Sequence, residues 1–291
     1  MVPPRFATTH RPSSRFTLHT SRRAPRQAGT PGCAGWNGAR WPRILTIAGT
    51  IEEGTLRSLI AVFVLGSLAL ADAPDGGRVA DPRAPERLEM VQRHLVSEGI
   101  RDPPTLEAMR SVPRHEFVPS SLSSAAYQNR ALPIGLGQTI SQPYIVAYQT
   151  EVIRPRPGMK VLEVGTGSGY QAAVLAAAGA RVYTMEIFAE LANSARTRLE
   201  RLGYRATVRH GDGNLGWPEE AHFDAIVVTA ASSHIPPALV EQLRPGGRMV
   251  IPVGSMYGAQ NLIQVDKGAD GVVRTRMLLP VAFVPMLSGL R

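Results

Sequence analysis

The chain has 291 residues, 44% of them hydrophobic and 19% charged, with a formal net charge of +9, which allows one good core with about a quarter of the chain to spare. Nine arginines face only Glu52 and Glu53 in residues 1–57, so most of the basic excess lies in the lead and gives no ground for expecting nucleic acid as a partner. The single cysteine, Cys33, falls in the same lead and the seven histidines show no ligand spacing, so neither a disulfide framework nor a metal site is implied.

The chain divides into three parts. Residues 1–57, rich in Pro, Arg, Ser, Thr and Gly without apolar periodicity, read as a disordered basic lead. Residues 58–80 hold an apolar run from Ser58 to Ala71 after Arg57, then a linker. That run has the charge, apolar stretch and small-residue ending of a secretory signal, and it is shorter than the ~20 residues of a membrane-spanning helix. Three readings stay open here: export or tethering through residues 57–73, a stray apolar segment ahead of a cytosolic enzyme, or translation that begins near residue 55. Contact with a membrane is expected only if residues 58–73 are retained. Residues 81–291 carry the folded domain.

Asp81 to Gly99 predicts a helix with Pro85 in its first turn and Leu88, Val91 and Leu95 as its apolar stripe. A shorter helix over Thr105–Arg110 follows. Prolines at 113 and 119 then bracket a piece expected to be extended, in which His115, flanked by Arg114 and Glu116, reads better as a structural hydrogen bonder than as a base. From Phe117 to Thr150 there is no acidic residue and one basic one, Arg130. Within it, Ala131–Val146 offers the hydroxyls of Thr139 and Ser141, the amide of Gln138 and glycine backbone, as a loop accepting a carboxylate would. A Gly/Pro-rich connector has the same composition.

Val161–Val164 is a short strand that ends in glycines at 165, 167 and 169 and passes into an alanine-rich helix, Gln171–Ala178. Alternating glycines let the backbone take positive φ and bring a ligand against the main chain and the amides at the helix start. A dinucleotide turn needs its third glycine two residues after the second, where Tyr170 stands instead. Glu163, at the strand end, suits a ligand of positive charge. Glu163-x-Gly165-Thr166-Gly167-x-Gly169 therefore resembles the first motif of the S-adenosylmethionine (AdoMet) methyltransferases. A second strand, Arg181–Glu186, ends in an acid 21 residues after Gly165, from which a carboxylate can hold both ribose hydroxyls.

A helix from Phe188 to Arg201 buries Leu191, Ala195 and Leu199, and Gly203 stops it. A strand at Ala206–His210 precedes Gly211-Asp212-Gly213, and Phe223–Ala231 is a strand apolar on both faces. Pro236 and Pro237 open a helix to Leu243, Pro245-Gly246-Gly247 turns into a strand at Arg248–Pro252, and tail strands are expected at Asn261–Val265, Val272–Pro280 and Val281–Pro285. Alternating strands and helices place the domain in the α/β doubly wound class.

Three segments together, Pro113–Pro119, Ile134–Tyr144 and Leu162–Tyr170, resemble the protein-L-isoaspartate (D-aspartate) O-methyltransferases, from about residue 85 to the C-terminus. The resemblance implies the seven-stranded Rossmann-like AdoMet-dependent methyltransferase fold with an N-terminal helical extension, AdoMet as cofactor, and methylation of the α-carboxylate of isoaspartyl residues in damaged proteins. It matches Ser141 to the family's active-site serine, with Gln138 and Thr139 beside it at the substrate. Glu163, Gly165, Thr166, Gly167 and Glu186 would hold the cofactor, with Asp212 and Gly213 at its adenine. It also implies a cytoplasmic enzyme; the oligomeric state stays open, with a monomer favoured. An AdoMet enzyme acting on another carboxylate would share the core motifs.

Overall fold

The computed structural model describes residues 81–255 and 258–290; the calls on residues 1–80 lie outside the described residues. A helical extension comes first. Helix α1, Ala84–Val91, continues as one π-helical turn, Gln92–Val96, and α2 spans Pro103–Ser111. Asp102 caps α2 by accepting from the Thr105 amide at 3.0 Å, and Pro103 occupies the first turn, where no amide hydrogen is needed. In α1 the buried face is Arg87, Met90, Val91 and then Leu95, while Leu88 is exposed. The expected stripe through Leu88 is thus displaced, because Arg87 turns inward to bond the Arg110 carbonyl and Asp81. Arg114–Phe117, expected to be extended, is a 3₁₀ turn that buries Arg114 and Phe117.

A two-stranded flap follows, with β1 at Leu132–Gly135 and β2 at Gln138–Ile140 antiparallel to it; α3, Pro143–Ile153, runs on from β2. The main sheet comprises β3 (Lys160–Val164), β4 (Arg181–Glu186), β5 (Ala206–His210), β6 (Phe223–Val228), β7 (Leu243–Gly254), β8 (Gln260–Lys267) and β9 (Val273–Val281), in the order β5-β4-β3-β6-β7-β8-β9. Strands β3 to β7 pair in parallel, and β7-β8-β9 pair antiparallel. Helix α4 (Tyr170–Ala177), α5 (Ala189–Arg201) and α6 (Pro237–Gln242) lie between the parallel strands in sequence. The chain moves outward from β3 to β5 and then returns to the other side of β3 as β6. In open α/β sheets that reversal leaves a crevice at the carboxyl ends of the two central strands.

The core follows from the sequence pattern. Val161, Leu162 and Val164 of β3 and Ala225–Val228 of β6 are almost wholly buried, as parallel strands covered on both faces require. Leu191, Ala195 and Leu199 of α5 are buried as the 3.6-residue period demands. Each such aliphatic side chain, fully buried, contributes about 1.5–3 kcal/mol relative to exposure. Pro245-Gly246-Gly247 does make a turn, but as a bulge within β7, where Leu243 and Arg248 pair with Phe223 and Ala225. Val281–Pro285 is not a further strand. After β9 the chain crosses the carboxyl edge of the sheet in extended form, with one bridge from Pro285 to Ala231 and the Ala231 amide donating to the Val284 carbonyl. Pro285 has no amide hydrogen, so the segment could not sustain a ladder.

Candidate active site

The glycine turn leaves β3 at the crevice. Gly165 has φ +101°, and a Cβ there would overlap the Thr229 hydroxyl, which itself donates to the Gly165 carbonyl at 2.6 Å from the end of β6. The Gly165 and Thr166 amides both donate to the Met185 carbonyl of β4. Turn, β4 and β6 are therefore locked together, and a cavity with about 750 Å³ of space opens above them. It is lined by Glu163, Gly165–Ser168 and Glu186 below, by Gln138–Ser141 of the flap on one side, and by Val284–Leu287 of the crossing tail on the other.

Among the described residues, two carboxylates and no cationic side chain line that cavity. Glu163 is fully buried: burial raises its pKa to about 8, against the lowering effect of the Thr184 hydroxyl, and Glu186 raises it further. Thr184 donates to Glu163 Oε2 at 2.6 Å, so the hydroxyl of Thr166, 2.6 Å from Thr184 Oγ1, supplies its own hydrogen to that link. The other carboxyl oxygen, Oε1, has no partner among the described residues. A buried acceptor without a donor is costly, and an ammonium or other cation in the cavity would satisfy it. Glu186 is 5% exposed and accepts from the amides of Gly167 (2.8 Å), Ile187 (2.9 Å) and Phe188 (3.1 Å). Those bonds fix its carboxylate on the cavity wall beside the turn.

Asp212 stands differently. Its Oδ1 accepts from the amide and side chain of Asn214 at 2.9 Å, and Oδ2 from the Gly289 amide at 2.9 Å. Burial raises its pKa, and the hydrogen bonds from Gly289 and Asn214 outweigh that and hold it low. The cavity is lined by its neighbours Gly211 and Gly213, whereas the Asp212 carboxylate faces the tail.

The flap lies close over the turn. Ile134 Cδ1 of β1 sits 3.3 Å from where Gly167 would carry a Cβ. Ser141, Thr139 and Thr229 line this cavity and also a second groove, completed by Ala131, Gln142, Ile145 and Pro280–Val284. Among the described residues no charged side chain lines the groove. Gln138 lines the first cavity only, with its amide 3.4 Å from the Leu136 carbonyl. No histidine among the described residues lines either space; His115 Nδ1 is 2.7 Å from the Tyr127 hydroxyl, and burial followed by the Arg83 charge lowers its pKa.

Sequence reasoning missed Thr229, Thr184, the tail residues Val284–Leu287 and Arg114. Thr229 ends an apolar strand without any local motif, and the tail had been assigned to the sheet. Arg114 is fully buried, donates from Nε to the Ala126 carbonyl (2.8 Å) and from Nη2 to the Ser141 carbonyl (2.7 Å), and lies 4.8 Å over the Tyr170 ring. Its neighbour in sequence, His115, drew attention because histidine titrates near neutrality. Among the described residues no three His, Cys, Asp or Glu side chains gather as a metal site would need, and no helix is long and apolar enough to cross a membrane.

Comparison with known proteins agrees with this geometry. Residues 86–291 match the family model described as Protein-L-isoaspartate(D-aspartate) O-methyltransferase. A Polaromonas protein named Protein-L-isoaspartate O-methyltransferase 2 is 60% identical over 186 residues, covering 64% of this chain and 88% of its own. A protein of the same name from Syntrophobacter fumaroxidans is 49% identical over 243 residues, 80% of this chain and 98% of its own. Among solved structures, a putative enzyme of this kind from Plasmodium falciparum, in complex with S-adenosyl-L-homocysteine, is 25% identical, covers 69% of this chain and 98% of that one, and has a TM-score of 0.60. With glycine turn, flap and tail all inside the matched span, this chain belongs to the protein-L-isoaspartate(D-aspartate) O-methyltransferase family.

Proposed function

We infer that the chain transfers a methyl group from AdoMet to the free α-carboxylate of L-isoaspartyl residues in aged proteins, the first step of their return to aspartyl. The observation that carries the reading is the position of Ser141, shared by an acid-lined cavity and a groove without charge. A cationic methyl donor belongs in the first and an anionic acceptor in the second.

The residues fit AdoMet on one point in particular: Glu163 Oε1 is buried without a donor, and the cofactor carries a cation. When bound, AdoMet supplies a methyl group activated by sulfonium. Glu163, tuned by Thr184 and Thr166, holds the positive end. Glu186, fixed by three backbone amides, accepts from the ribose hydroxyls. The bare backbone of Gly165 and Gly167, without side chains in the way, lets the middle of the ligand lie against the main chain. Gly213 with Asp212 completes the adenine end, which requires the Asp212 carboxylate to exchange one of its bonds from Asn214 or Gly289.

On the acceptor side no base is needed, since a carboxyl group with a pKa near ~4 is already ionised at neutral pH. The absence of histidine from both linings among the described residues accords with that. Ser141 donates to the substrate carboxylate, with Thr139 and Gln138 shaping the wall, and the flap and tail exclude water. No paired base activates Ser141 as a nucleophile. Its contribution is orientation, and oriented reactants of this type gain up to ~7–11 kcal/mol. We place this work in the cytoplasm, the family's usual compartment.

The test is a methyl-transfer assay with two peptides that differ only in one isoaspartyl or aspartyl residue, scored as base-labile methyl ester. Label in the isoaspartyl peptide alone is expected. Equal labelling of both, or of small carboxylic acids in preference, would assign the enzyme to a different carboxylate.

A further inference from the structure

Arg114 is the largest fully buried side chain among the described residues, and no carboxylate among them pairs with it. Its three acceptors are all backbone carbonyls: Ala126 at 2.8 Å, Ser141 at 2.7 Å and, more weakly, Arg130 at 3.4 Å. These carbonyls bracket the flap, two before β1 and one directly after β2. The guanidinium also stacks on Tyr170, the first residue of α4 after the glycine turn, while Nη1 has no partner. Burial lowers its pKa to about 10, and at neutral pH it remains a cation.

A lone buried cation is an expensive way to tie down three carbonyls, because the charge is desolvated without an opposite charge to offset it. Carbonyl dipoles and the Tyr170 ring recover part of that cost. What the arrangement lacks is an anion. Among the described residues the groove beside Ser141 has no charged wall of its own, and Ser141, which lines it, accepts from the guanidinium through its carbonyl.

We propose that Arg114 is a positioning residue for the substrate carboxylate: it pins the main chain of Ser141, and its uncompensated charge makes the groove selective for an anion. The proposal rests on the isoaspartyl methyltransferase reading and supplies the counter-charge which that reading otherwise lacks. Arginine suits the role because its planar fork can bond both feet of the flap at once and stays protonated when buried.

The experiment compares the full-length wild type with Arg114→Met and Arg114→Lys. It measures KM for an isoaspartyl peptide, Kd for S-adenosylhomocysteine, and inhibition by the same peptide carrying the isoaspartyl α-amide or the α-carboxylate. Arg114→Met should raise the peptide KM by at least about tenfold, the scale of one charge-assisted interaction, with S-adenosylhomocysteine binding within about threefold of wild type. The preference for carboxylate over amide should collapse in Arg114→Met and persist in Arg114→Lys, which keeps the charge and loses the fork. A loosened flap would weaken both peptides alike, so an unchanged preference in Arg114→Met overturns the proposal, as does an unchanged KM. If Arg114→Met loses S-adenosylhomocysteine binding and its folded circular dichroism, Arg114→Gln, which keeps a donor for the carbonyls without the charge, decides: a lost preference supports the proposal, and an intact one overturns it. A wild type that methylates no isoaspartyl peptide overturns the substrate reading itself, and this proposal with it.

Discussion

The glycine turn and the flap face each other across one cavity and are built on opposite principles. The turn is held by direct contacts with its neighbouring strands: positive-φ glycine at 165, paired amides on the Met185 carbonyl, and the Thr229 hydroxyl filling the space a side chain would need. The flap, a two-stranded ribbon of seven strand residues, cannot hold itself, since isolated hairpins are marginal in water. It is held from behind by Arg114 and rests on the turn through Ile134. Their charge differs in the same sense. The turn side carries the carboxylate of Glu186 and the carboxyl of Glu163, which a cationic ligand would ionise, whereas the flap side has no ionised wall among the described residues and a cation buried behind it. A methyltransferase that brings a sulfonium to a carboxylate needs both arrangements. It also needs them separate, because an acid on the flap would repel the acceptor.

The comparison can be broken first at the turn. Gly165→Ala forces a side chain into positive φ against Thr229, and about 2–4 kcal/mol of strain and overpacking is expected. Thermal unfolding should fall accordingly, and S-adenosylhomocysteine binding should be lost in calorimetry. On the flap side, Ser141→Ala should lower kcat/KM for isoaspartyl peptide by about 10–100-fold, the value of a hydrogen bond to a charged group. Cofactor affinity should hardly move, and equal loss of both would shift Ser141 to the cofactor's side of the cavity. Glu186→Gln should weaken AdoMet about tenfold with peptide KM unchanged, and full affinity in that variant would remove Glu186 from the ribose.

The gentlest probe is pH. With its pKa raised to about 8, Glu163 is protonated in the free protein at neutral pH, whereas a cationic ligand favours the carboxylate. Binding therefore releases a proton, so S-adenosylhomocysteine affinity should climb by up to about tenfold per pH unit toward pH 8 and then level off. Glu163→Gln should flatten the curve. The same shift makes the free protein hold more protons than the unfolded chain between the ordinary carboxylate range and pH 8, so the contribution of Glu163 to folding stability falls as pH rises through that window. Calorimetry in buffers of differing ionisation enthalpy would register the released proton; identical heats in all of them would argue against it.

Much of the cofactor side could be read from the chain, because its chemistry is local. A strand, three alternating glycines and a helix lie within about twenty residues, and Glu186 falls where the next strand must end. Buried strands and the α5 stripe were legible for the same reason, periodicity being a property of neighbours in sequence. The role of Asp212 was not: whether its carboxylate meets a ligand or the Gly289 amide depends on a tail 77 positions away. Leu88 and Arg87 exchanged expected places because the carbonyl that drew Arg87 inward lies 23 residues downstream, in α2.

By itself the sequence determined the doubly wound sheet, the AdoMet-type turn and the family, since these rest on short-range pattern and on motifs that survive as contiguous strings. Only the tertiary structure decided that the flap and the tail close one cavity over that turn, that Glu163 keeps an oxygen without a donor, and that a buried Arg114 stands behind Ser141. The physical reason is that burial, orphaned polar atoms and the direction of a charge are properties of what packs around a residue, and those neighbours come from segments up to about 150 residues apart.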